Sequence, residues 1–101
     1  MKFGLTKKTI NKINSIFEKI PEIDEVIIYG SRAKGNFKEG SDIDITLKGK
    51  VTKEDLLKLW NDLDESYITY KFDISIYEDL KSEKLIEHIN RVGKTFYKRI
   101  N

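Results

Sequence analysis

The chain has 101 residues and a mass of 11.9 kDa, which allows one domain over residues 1–101 with one modest core and one site. It is 39% hydrophobic and 36% charged with a formal net charge of +2, too apolar for a disordered chain and too polar for a membrane protein. There are no cysteines, so disulfides, thiolate metal sites and cysteine nucleophiles are excluded.

The longest unbroken apolar run is Val26-Ile27-Ile28-Tyr29, against the roughly 18 residues a spanning helix needs. Met1-Lys2-Phe3-Gly4 leads straight into polar, periodic sequence with no visible signal peptide, so the expected setting is the cytoplasm, away from any membrane. The basic residues are mostly lysines, spread from Lys2 to Lys98 without a block. They read as a solvated surface, and direct nucleic-acid binding is not expected.

Between Thr6 and Ile20, the residues Ile10, Ile13, Ile16, Phe17 and Ile20 recur at the three-and-four spacing of one helix face. Pro21 closes that helix, because proline disfavours helical geometry in the residue before it. Glu25 to Tyr29 reads as an interior strand ended by Gly30. Residues 30–41, GSRAKGNFKEGS, are glycine-rich and lack apolar periodicity, so they predict a loop with room for one helical turn from Ser31.

Strict alternation follows, with Ile43, Ile45 and Leu47 on one face of a strand and Asp42, Asp44 and Thr46 on the other. Gly49 ends the strand, and Thr52 with Asp55 predicts a capping box for a helix whose inner stripe is Leu56, Leu59, Trp60 and Leu63. Thr69 to Ile76 alternates again, with Lys71, Asp73 and Ser75 on its polar face and Phe72, Ile74 and Ile76 opposite. Ser82 caps a last helix bearing Leu85, Ile86, Ile89 and Val92, stopped by Gly93. Phe96, Tyr97 and Ile100 in the tail can pack as strand or helix, and Phe96 and Tyr97 read as core or interface residues. His88, the single histidine, reads as a surface or edge residue. The order of elements is that of a small α/β domain.

The chemistry lies on the polar faces. Residues two apart on a strand project from one side, so Asp42 and Asp44 offer two carboxylates about 6.5–7 Å apart along the backbone. Asp73 offers a third if its strand lies alongside. By itself a D-x-D pair is ordinary solvent-facing polarity. Three carboxylates on one sheet face repel one another unless a cation lies among them, and hard oxygen ligands suit Mg²⁺ or Mn²⁺. The preceding turn, Tyr29-Gly30-Ser31, runs from a strand into a glycine, a hydroxyl and a helix start. Unsatisfied N–H groups at such a turn favour an anion. A phosphate cradle beside a cation site is what transfer from a nucleoside triphosphate requires.

The run Gly30-Ser31-Arg32-Ala33-Lys34-Gly35, then Ser41-Asp42-Ile43-Asp44 and a third acid in Phe72-Asp73-Ile74, resembles the signature of the DNA polymerase β-type nucleotidyltransferases. Within that superfamily the chain is most similar to the minimal nucleotidyltransferases (MNT proteins), along nearly its whole length. The resemblance implies a small mixed β-sheet with helices mainly on one face. It implies catalytic, metal-binding roles for Asp42, Asp44 and Asp73 with two Mg²⁺ ions, and ATP held by Gly30, Ser31, Arg32 and Ser41. Arg32 contacts phosphate or braces the loop, and Lys34 stands where an arginine is common. MNT proteins pair with HEPN-domain toxins, so the resemblance also implies an antitoxin that moves AMP from ATP to a tyrosine of such a partner. The rival reading is a non-catalytic nucleotide-binding module that neutralises the partner by complex formation.

Overall fold

The computed structural model describes residues 1–100. Helix α1 (Lys7–Glu18) starts on Thr6, whose hydroxyl accepts from the Thr9 N–H. It buries Ile13, Ile16 and Phe17 and ends just before Ile20 and Pro21. Strand β1 (Ile23–Tyr29) begins two residues ahead of the expected start, and the one-turn helix α2 (Gly30–Lys34) follows it directly. Gly35, at φ +86°, caps α2 in the left-handed conformation that glycine adopts without a Cβ penalty.

After a turn come β2 (Ile43–Gly49), α3 (Lys53–Glu65), β3 (Phe72–Ile76), a 3₁₀ turn (Tyr77–Asp79), α4 (Glu83–Val92) and β4 (Lys94–Lys98). The capping box at Thr52 and Asp55 is present, each bonding the other's main-chain N–H. The ambiguous tail is therefore a strand. β3 is shorter than its alternation suggested: β2, its ladder partner, starts only at Ile43, so residues 69–71 gain no more than one bond, from the Ile43 N–H to the Lys71 carbonyl.

The sheet order is β3-β2-β1-β4, with β2 and β3 parallel and the other pairs antiparallel. One face carries the main core, where Val26, Ile28, Ile43, Ile45 and Leu47 meet Ile13, Phe17, Leu59 and Leu63 of α1 and α3 and Ala33 of α2. Phe96 and Tyr97 close the same core around Phe17, their rings 6.2 and 5.5 Å from it. Trp60 does not join it. It is 40% exposed, because Leu59 and Leu63 take the centre of the α3 stripe and leave Trp60 on the rim.

Helix α4 connects β3, on one edge, to β4, on the other, and covers part of the opposite face. Ile89 packs there on Ile27 and Tyr29. Thr46, expected on a wet face, is fully buried between its ladder partners Ile27 and Ser75, beside the 3₁₀ turn that packs on β2, and its hydroxyl accepts a 2.9 Å bond from the Ser75 hydroxyl. At the far end Arg99 donates to the carbonyls of Phe17 in the last turn of α1, of Ile20 just after it and of Ile23 in β1. No helix among the described residues is long and apolar enough to cross a membrane.

Candidate active site

The antiparallel β1–β2 register sets Tyr29 opposite Asp44, and the parallel β2–β3 register sets Asp44 opposite Asp73. Alternation puts all three on the α4 side of the sheet, in one row across three strands. Asp42 lies one residue ahead of β2 and is exposed, so it joins this row from the loop and not from the ladder.

Asp44 is the most enclosed of the acids. Burial raises its carboxyl above the usual carboxylate range, and the charges of Asp73 and Asp42 push the same way. Arg32 and His88 act in the opposite sense. Three carboxylates thus share one field at the end of the sheet, with Arg32 and His88 beside them.

Gly30 is built into the same spot. Its φ is +73°, and a Cβ there would run into Asp44 Oδ2. The glycine therefore does two things: it turns the chain from β1 into α2, and it vacates the space that the Asp44 carboxylate fills. Ser31, half-buried, follows in the first turn of α2, and its carbonyl accepts from the N–H groups of Gly35 and Asn36. No hydrogen bond among the described residues engages the Ser31 hydroxyl, which leaves it available to a ligand.

Arg32 has the second of the two parts the sequence left open. It is 3% exposed. Its Nε and Nη2 donate to the Ser41 carbonyl at 3.1 and 2.8 Å, and Nη1 to the Phe3 carbonyl at 2.9 Å. The rings of Phe37 and Tyr70 lie 5.4 and 5.1 Å from the guanidinium. Ser41 is occupied in the same way: its hydroxyl accepts from the Lys38 N–H at 2.8 Å, closing the turn before Asp42. These two residues tie the loop that delivers Asp42, where the resemblance implied direct contact with a nucleotide. Lys34 is exposed.

Two residues stand at the row that sequence reasoning passed over. Tyr29 is 7% exposed, and burial, then the charge of Asp73, raises its phenol above the ordinary tyrosine range. The His88 ring meets the Tyr29 ring edge-on, at 85° and 6.2 Å between centroids. His88 is half-buried, at the edge where α4 meets the sheet, as a surface or edge residue would be. The available signal was its place one residue before Ile89, the position that docks α4 onto β1.

Among the described residues no three His, Cys, Asp or Glu side chains are already gathered tightly enough to hold an ion. The donor chemistry nonetheless suits a hard divalent cation. Asp44 and Asp73 are register partners, Asp42 is within electrostatic reach, and the repulsion that raises the Asp44 carboxyl is what a cation relieves.

The profile of the family described as polymerase beta, nucleotidyltransferase matches residues 11–100. No curated protein matches the chain. Among solved structures, a toxin–antitoxin with AMP-PNP has a chain that is 20% identical; the likeness covers 89% of this chain and 73% of that one, with a TM-score of 0.70. A complex of a tri-AMPylated Shewanella oneidensis HEPN toxin with MNT antitoxin is 18% identical, covering 94% and 74%, at a TM-score of 0.66. The toxin–antitoxin MntA-HepT is 18% identical, covering 93% and 74%, at 0.65. At these identities the likeness is one of fold.

Proposed function

The chain belongs to the polymerase beta nucleotidyltransferase family, and on that premise we propose that it transfers AMP from ATP to a hydroxyl of a partner protein. The acceptor proposed is a tyrosine of a HEPN toxin, which makes this chain the antitoxin, working in the cytoplasm. The observation that carries the reading is the row at the end of the sheet: Asp44 opposite Asp73 across the parallel pair, beside the Gly30–Ser31 turn. The fold-level likeness to toxin–antitoxin complexes, one of them with an AMPylated toxin, supports the choice of partner.

Asp42, Asp44 and Asp73 would hold two Mg²⁺ ions, and Mn²⁺ fits the same oxygen donors. When bound, the ions supply charge stabilisation at the α-phosphate and at the attacking and leaving oxygens. Gly30 presents main-chain N–H at a turn with no Cβ over it, and Ser31 adds a hydroxyl, so together they seat the phosphate chain. Asp73, exposed at the start of β3, takes the acceptor's proton as its oxygen attacks the α-phosphorus and pyrophosphate departs. Arg32 and Ser41 keep the Asp42 loop in register and need not touch the nucleotide.

The test uses labelled ATP, Mg²⁺ and a HEPN-domain protein as acceptor. The expected result is one labelled tyrosine on the partner, with Asp73→Asn retaining ATP binding and losing transfer by about 10²-fold or more. Wild-type transfer by Asp73→Asn refutes the assignment. Neutralisation of the partner without any label makes the chain a non-catalytic binding module instead.

A further inference from the structure

The row of acids has a floor and one end wall, and α4 provides something over it. Tyr29 is the residue immediately before the Gly30–Ser31 turn, and the His88 ring rests edge-on against the Tyr29 ring, 6.2 Å away. Ile89 fixes that placement by packing, at 2% exposure, on Ile27 and Tyr29. α2 touches both β1 and α4, so the turn is enclosed between the sheet end and the helix that carries His88. The imidazole is half-buried, and no hydrogen bond among the described residues occupies it.

We propose that His88 is the third side of the nucleotide site: its imidazole donates a hydrogen bond to the phosphate chain of a nucleoside triphosphate seated on the Gly30–Ser31 turn. This rests on the nucleotidyltransferase reading above and extends it to a residue outside the loop-and-acids signature. The packing on Tyr29 sets the ring's tilt, and the free ring nitrogens provide the donor. A purely structural histidine would need only the first of these. The two roles separate because phenylalanine keeps the packing and lacks the donor, whereas glutamine keeps a donor and lacks the ring.

The experiment is calorimetric titration of the full chain with ATP and Mg²⁺, beside thermal unfolding, for wild type, His88→Phe and His88→Gln. Loss of one hydrogen bond to a charged acceptor predicts that His88→Phe binds ATP about tenfold to a hundredfold more weakly at unchanged Tm. His88→Gln is expected to stay within about threefold of wild type. Wild-type affinity in His88→Phe overturns the inference and leaves the transferase reading intact. Equal losses of affinity and Tm in both variants also overturn it, since packing alone then explains His88. A wild-type chain that binds no ATP with Mg²⁺ defeats the transferase reading itself, and this inference with it.

Discussion

Replacing Gly30 by alanine tests whether the turn and the acid row are one construction. Two penalties are expected, and they arise from different atoms. The first is conformational: a non-glycine residue at φ +73° costs roughly 1–2 kcal/mol. For a chain of this size that lowers Tm by about 4–16 °C. The second is steric: the new Cβ meets Asp44 Oδ2 well inside van der Waals contact, so the carboxylate must shift by roughly an ångström. A displacement of that size at a reacting centre costs about 10²-fold in rate, so nucleotidyl transfer should fall much further than stability does. A double-mutant cycle separates the two penalties. Asp44→Ala removes the colliding group, so Gly30→Ala with Asp44→Ala should be more stable than the sum of the single changes, by about 0.5–3 kcal/mol. Urea unfolding of the four proteins measures the coupling. Additivity within about 0.5 kcal/mol, together with near-normal transfer by Gly30→Ala, refutes the shared geometry.

Asp44→Asn should stabilise the metal-free chain at pH 7, because burial and the charges of Asp73 and Asp42 disfavour the ionised carboxylate. Since the folded-state pKa is raised, the wild type should gain stability as pH falls from above that value toward the ordinary carboxylate range. The advantage of the variant should therefore fade over the same window. Urea unfolding at pH 7 and pH 4 checks the sign, and an advantage that grows on acidification contradicts it. Arg32→Lys should cost about 2–4 kcal/mol in chemical denaturation, because one ammonium cannot serve the Ser41 and Phe3 carbonyls together. Unchanged stability with lost nucleotide affinity would return Arg32 to a phosphate role. Ser31→Ala should weaken ATP binding by about 1.5–3 kcal/mol in calorimetry with little change in Tm. Unchanged affinity would leave Ser31 as a helix-start residue only.

Local signals carried much of this in the sequence. The apolar spacing in α1 and the Thr52–Asp55 cap at α3 are short-range patterns with direct physical meaning, and both formed as read. Alternation put Asp44 and Asp73 on polar faces before any pairing was known. It could not say that β2 and β3 are neighbours, because pairing across α3 is decided by the packing of the whole core. The same gap hid the burial of Thr46, which depends on its ladder partners and on the 3₁₀ turn that packs on β2. Trp60 was misplaced because helical spacing locates a stripe and not its edge. His88 was passed over because a lone histidine has no periodicity to betray it.

The parallel pairing of β2 with β3 has a kinetic meaning. Parallel neighbours require a crossover, and here the crossover contains α3, whereas β1 and β2 meet through the short segment that includes α2. During synthesis the β1–β2 ladder, with the Gly30 turn and Asp44 already apposed, consists of relatively local contacts. Asp73 arrives only after α3 has been made, and α4 later still, at a greater cost in loop closure. A nascent or partly unfolded chain thus carries the turn and two acids without the third. On the proposed reading, competence for chemistry comes with the last long-range contacts to form, so a fold-stability measurement on this chain doubles as a measurement of how much of it is equipped to react.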